Sequence, residues 1–77
     1  MKPEKVFRIG SVSASVFANE VQEGKRPMRN VNLQKRYRDG EEWKSSSSFS
    51  LGELPQAIAA LDLAMKYVAD QEAEVSG

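Results

Sequence analysis

Hydrophobic and polar positions alternate with a period of two through most of the first fifty residues, then change to helical spacing. Val6–Gly10 sets Phe7 and Ile9 against Val6 and Arg8, a short strand ending at or bending through Gly10. Ser11–Asn19 places Val12, Ala14, Val16 and Ala18 on one side and Ser11, Ser13, Ser15, Phe17 and Asn19 on the other. Small and β-branched residues at this period make a half-buried strand. Gly10 is either a turn between two strands or a bulge within one long strand. Glu20–Pro27 is polar, holds Gly24 and Pro27, and reads as a hairpin loop. Met28–Arg38 alternates again, with Val31, Leu33 and Tyr37 on the buried side and Asn30, Asn32, Gln34, Arg36 and Arg38 outward. Asp39-Gly40 signals a tight turn, and Trp43–Phe49 returns as a polar strand carrying Ser45 to Ser48.

Ser50-Leu51-Gly52-Glu53 fits a capping box, and Pro55 places the start of regular helix near Leu54. Leu54, Ile58, Leu61, Met65 and Val68 recur at four-and-three spacing as one apolar stripe, in a helix predicted to run to about Gln71. A second apolar line, Ala57, Ala60, Leu63, Ala64 and Tyr67, widens that surface. One face covers the sheet. The second, represented by Ala60, Leu63 and Tyr67, either meets the same helix of another subunit or is wrapped by the chain's own core. The elements predict an α+β fold, a four-stranded antiparallel meander followed by one long C-terminal helix (ββββα). Residues 1–77 form a single domain, with 1–5 and 72–77 as frayed tails.

Length sharpens the oligomer question. A chain of 77 residues buries only roughly 60% of its unfolded surface, which favours assembly into a homodimer. No apolar stretch is long enough to span a bilayer and no signal-peptide core is visible, so the expectation is a cytoplasmic chain without membrane association.

The formal charge is zero, but the charges are not evenly spread. Residues 25–44 hold seven basic groups (Lys25, Arg26, Arg29, Lys35, Arg36, Arg38, Lys44) against Asp39, Glu41 and Glu42, a net of +4. From Glu53 onward five acids face only Lys66, a net of −4. Such asymmetry either marks a basic interaction surface or solvates each element with whatever charge is at hand.

Catalysis is the class the composition argues against. With no His and no Cys, the usual neutral-pH base, the usual nucleophile and most transition-metal ligands are missing. Serines are plentiful, but only lysines or carboxylates remain to activate them, and no phosphate-cradling glycine motif occurs. The expectation is a non-enzyme with no cofactor and no metal.

A surface remains. Lys35-Arg36-Tyr37-Arg38 followed by Trp43-Lys44 joins cations for phosphates to rings for bases across one turn, the mixture that single-stranded DNA or RNA binding needs. Lys25, Arg26 and Arg29 extend the basic area, and Phe17 is a further candidate aromatic on the polar side of its strand. Hairpin register decides the role of Trp43. A two-residue Asp39-Gly40 turn sets it beside Arg36 on the outer face, whereas a three-residue loop sets it with Lys35 and Tyr37, toward the helix. Tyr37 and Trp43 thus stay open between core and base-stacking roles.

Phe7-Arg8-Ile9-Gly10 leading into Ser11–Asn19, a third strand ending in Lys35-Arg36-Tyr37-Arg38 before an acidic turn, and Phe49-Ser50-Leu51 opening a helix carry a resemblance. Over most of residues 5–70 the chain resembles the single-stranded DNA-binding fold of the transcriptional coactivator positive cofactor four, its bacterial relatives and the Whirly proteins. The resemblance implies a homodimer formed through the helices, with basic strands that bind single strands, and a role in transcription regulation. By position it would put Arg29, Lys35, Arg36, Arg38, Lys44 and Trp43 on the binding strands. The leading expectation is sequence-tolerant single-stranded nucleic acid binding, DNA before RNA. A protein-interaction or scaffolding module is the alternative, and a small-ligand regulator comes third.

Overall fold

The computed structural model describes residues 2–19 and 28–73. It is an α+β arrangement of one antiparallel sheet in the order β1-β2-β3-β4, with a single helix after it. The strands are β1 (Lys5–Ile9), β2 (Val12–Asn19), β3 (Met28–Asp39) and β4 (Glu42–Ser46), and α1 covers Leu54–Glu72. The expected loop over Glu20–Pro27, with Lys25 and Arg26, and the end of the C-terminal tail lie outside the described residues.

Gly10 is a turn. Ile9 pairs with Val12, leaving Gly10 and Ser11 as a two-residue hairpin loop, and Gly10 has φ +61. Positive φ at the first central residue is what this class of hairpin demands. A Cβ there would also lie 2.6 Å from Gln56 Oε1 of the helix, so that side-chain amide would have to swing aside. That same oxygen accepts a 3.3 Å hydrogen bond from the Ser11 amide, tying the turn to α1. The second hairpin closes through Gly40 and Glu41, with Asp39 paired to Glu42 and Gly40 at φ +65, one residue later than the expected Asp39-Gly40 turn.

The last strand is shorter than its pattern suggested. It ends at Ser46, and Phe49 leaves the sheet to pack against the core. The regular helix begins at Leu54, as Pro55 required. Before it, the Glu53 carboxylate accepts 2.8 Å hydrogen bonds from both the Ser50 amide and the Ser50 hydroxyl. The carboxylate arm of a capping box is therefore present, while the serine hydroxyl turns to the carboxylate instead of the backbone.

The two helix stripes exchange the roles expected of them. Ala57, Ala60 and Ala64 are buried against Val12, Ala14 and Val16 of β2, with Phe7, Ile9, Leu33, Phe49, Tyr67 and Val68 around them. Leu54, Ile58, Leu61 and Met65 remain exposed. Distance explains the exchange. β2 offers only valine and alanine, so the helix gains contact by approaching closely on alanine, and a row of leucine and methionine would hold it off. Ala60 is fully buried inside the chain, which takes it out of any subunit interface; Tyr67, half-buried, packs edge-on to Phe7 at 5.9 Å. Leu63 is 40% exposed and, at about 100° per residue, lies roughly 140–160° around the helix from Ile58 and Met65.

The core is thin, with Val12 and Val16 its largest fully buried side chains. Among the described residues no helix is long and apolar enough to cross a membrane.

Candidate nucleic-acid interface

Side chains alternate across a sheet, so the helix on one face assigns every strand residue to the other. Opposite the helix lie Val6 and Arg8 of β1, and Ser13, Ser15, Phe17 and Asn19 of β2. Met28, Asn30, Asn32, Gln34, Arg36 and Arg38 of β3, then Trp43 and Ser45 of β4, complete this outer face. It carries three arginines and, among the described strand residues, no carboxylate.

The cations of the helix side are arranged differently. Arg29 Nε lies 3.0 Å from Glu4 Oε2, Lys35 Nζ 2.7 Å from Glu53 Oε1, and Lys44 Nζ 2.9 Å from Asp39 Oδ2. Lys66 on the helix pairs with Asp62. Arg8, Arg36 and Arg38 form no such pair among the described residues. Arg29, Lys35 and Lys44 on the helix side are thus each held by a carboxylate, Lys5 of that side leans over the Phe7 ring, and the three outer arginines meet no carboxylate among the described residues.

The Lys35 ammonium, helped by the Ser50 amide and hydroxyl, pushes the Glu53 carboxyl down to about 2. Hydrogen bonds from the Tyr67 hydroxyl first, and Arg29 second, hold Glu4 below the usual carboxylate range, while Glu4 pushes the Tyr67 phenol up. Both clusters bind one element to another, and their cations are already satisfied.

On the outer face, register resolves the Trp43 question. Trp43 pairs with Arg38 and lies diagonal to Arg36, outside the core and 59% exposed. The guanidinium carbons sit 5.2 Å (Arg36) and 5.9 Å (Arg38) from the ring centroid, within cation–π range. Arg38 Nε also donates to the Gly40 carbonyl at 3.1 Å, which anchors it beside the turn. A shallow concavity of about 580 Å³ runs from this cluster across the sheet, lined by Arg8, Gly10, Ser11, Val12, Ser13, Arg36 and Trp43. Its walls combine two guanidinium groups, serine hydroxyls and one indole. Phosphate oxygens and a flat base fit that chemistry.

Of the residues singled out in the sequence, Arg36, Arg38 and Trp43 come together here. Phe17 shares the face but pairs with Asn30, eight residues along β3 from the Arg38–Trp43 pair, roughly 27 Å away at strand rise. Arg29, Lys35 and Lys44 are on the helix side, each held by a carboxylate, so they do not join the cluster. Tyr37 is also on the helix side, 42% exposed and opposite Lys44, so it is neither core nor part of the Trp43 surface. Arg8 was missed. Its alternation against Phe7 and Ile9 already placed it outward, but one arginine on a short first strand carried no charge cluster to draw notice.

Set beside known protein families, curated proteins and solved structures, the chain matches none.

Proposed function

We propose that this chain binds single-stranded nucleic acid, DNA in preference to RNA, without strict sequence choice, through the outer face of its sheet, and that it acts as a homodimer. The observation that carries the reading is the division of charge: among the described residues Arg8, Arg36 and Arg38 stand without carboxylates around an exposed Trp43, while Arg29, Lys35 and Lys44 on the helix side are paired. Arginines meet phosphates, and the indole gives a base a surface to stack on, worth roughly 1–3 kcal/mol. Asn30, Asn32, Gln34 and the outward serines offer neutral donors and acceptors along the same face, suited to contacts that do not specify sequence. The resemblance to the positive cofactor four and Whirly fold supports the same reading and adds a regulatory setting in transcription. The homodimer is supported by the thin core and by the exposed Leu54, Ile58, Leu61 and Met65.

Fluorescence anisotropy with labelled single-stranded and duplex oligonucleotides at two salt concentrations tests the proposal. Salt-sensitive binding that prefers single strands is expected, with Arg36→Ala/Arg38→Ala weakening it at least tenfold and leaving circular dichroism unchanged. Absence of binding at low salt would overturn it and favour a protein-interaction module.

A further inference from the structure

We propose that two copies join edge to edge through β3, the segment Met28–Gln34 pairing antiparallel with the same segment of the second copy about a two-fold axis at Val31. The inference rests on the homodimer reading above and specifies its seam. β3 has twelve residues, and β4 pairs only with Lys35–Asp39. Met28–Gln34 therefore has β2 on one side and, among the described residues, no strand on the other. The Arg36 amide donates across to the Ser11 carbonyl of the β1–β2 turn. By alternation, Arg29, Val31 and Leu33 aim their backbone groups at this edge; the Arg29 amide donates to Glu72 Oε1 of α1 at 3.4 Å, and the amides of Val31 and Leu33 lie beyond that contact. An edge of this kind is a template for another strand.

The register argues for a second copy as the occupant. The open stretch is seven residues with Val31 at its centre. Paired with itself, it sets Val31 against Val31, Arg29 against Leu33 and Met28 against Gln34. Pairing stops where Lys35 already holds Ser46. Val31 and Leu33 then gain hydrogen-bonded partners, and the Arg29 amide exchanges the Glu72 carboxylate for a backbone carbonyl. Moving the axis to Asn32 would set Arg29 against Lys35, whose edge β4 occupies.

Packing points to the same occupant. Beside this edge, between α1 and β3, lies an apolar hollow of about 420 Å³ lined by Val31, Ile58, Leu61, Asp62 and Met65. A two-fold axis at Val31 turns the two hollows toward each other. Leu54, Ile58, Leu61, Met65 and Val31 offer on the order of 500 Å² per copy, roughly 1,000 Å² per pair before the strand edges are added, the lower bound of a specific interface. The product is an eight-stranded sheet whose outer faces are continuous. Arg36 of each copy stands five residues from the axis, so the two clusters lie roughly 34 Å apart along the strands, and one ligand strand can engage both.

Val31→Pro is the direct probe, since it removes an N–H aimed at the open edge, where proline is tolerated. By analytical ultracentrifugation the unmodified chain is expected to be a dimer. V31P is expected to be a folded monomer whose self-association is at least about 30-fold weaker, one hydrogen bond being lost on each side of the axis. Hydrogen exchange on the unmodified chain gives a readout that does not depend on the variant folding: Val31 and Leu33 amides should be protected in the dimer and exchange freely on dilution. A V31P chain that stays dimeric, or those amides exchanging freely within the dimer, overturns the β3 seam while leaving dimerisation through the helix flank. An unmodified chain that is monomeric at every concentration overturns the homodimer itself. Binding of a single strand too short to bridge both clusters, measured separately on each, reports on one outer face alone.

Discussion

Glu53 Oε1 accepts three hydrogen bonds, from the Lys35 ammonium of β3 and from the amide and hydroxyl of Ser50 just before the helix. Its carboxyl is pushed down to about 2 from an ordinary value of 4.5, so the folded state binds that proton more weakly than the unfolded state. The stability this contributes is complete above about pH 4.5 and disappears as pH falls toward 2. Glu4, also depressed, acts in the same direction. Glu53→Gln should therefore lower stability at neutral pH and flatten its decline between pH 4.5 and 2, as urea denaturation across that range would measure. A variant with the same acid profile as the parent would remove Glu53 from the account. Tyr67 works at the other end. Its raised phenol stabilises the fold below about pH 10, and that contribution is lost as the group ionises at higher pH.

At the level of elements, the alanine line of α1 sets how near the helix sits to the sheet. Ala60 has no accessible surface, so Ala60→Leu must displace either β2 or the helix. It should cost about 1–3 kcal/mol by chemical denaturation, whereas Ala69→Leu on the exposed side should stay within about 0.5 kcal/mol. Equal costs would mean that the close approach does not depend on alanine. The strands themselves were legible from alternation alone, because a sheet covered on one face writes a period of two into the chain. The helix start was legible from Ser50, Glu53 and Pro55 for an equally local reason. The choice between the two helical stripes was not. Hydrophobicity ranks leucine and methionine above alanine, and only the small side chains of β2, distant in sequence, reverse that order. Trp43 was undecided for a similar reason: Gly40 permits more than one loop length, and a one-residue change decides the face. Nor could composition show which cations were already held, since Lys35 meets Glu53 across eighteen positions and Arg29 meets Glu4 across twenty-five.

The whole molecule is more surface than core. Its radius of gyration, 14.9 Å, exceeds the roughly 11.5 Å expected of a compact chain of this length, and Tyr37 and Trp43 near the β3–β4 turn stay exposed on opposite faces. The electrostatic reach of such a shape is measurable. With three outer-face arginines that meet no carboxylate among the described residues of each copy, the logarithm of single-strand affinity should fall with the logarithm of salt at a slope of about −2 for each outer face engaged, or about −4 when both copies of a dimer bind one strand. V31P should shift a long oligonucleotide from the steeper value to the shallower, and Arg36→Ala/Arg38→Ala should leave a slope near −0.7 per copy. A slope close to zero in the unmodified chain would mean that phosphates are not what this face meets.

The segregation of paired and unpaired cations has one more effect, because the chain as a whole is neutral. Among the described residues the outer face holds three positive charges and the remainder a net of two negative ones, so this part of the molecule is a dipole directed through the sheet. Such a body feels little net pull from a distant polyanion but does feel a torque. It turns before it is drawn in, and reaches the ligand with the arginine face leading.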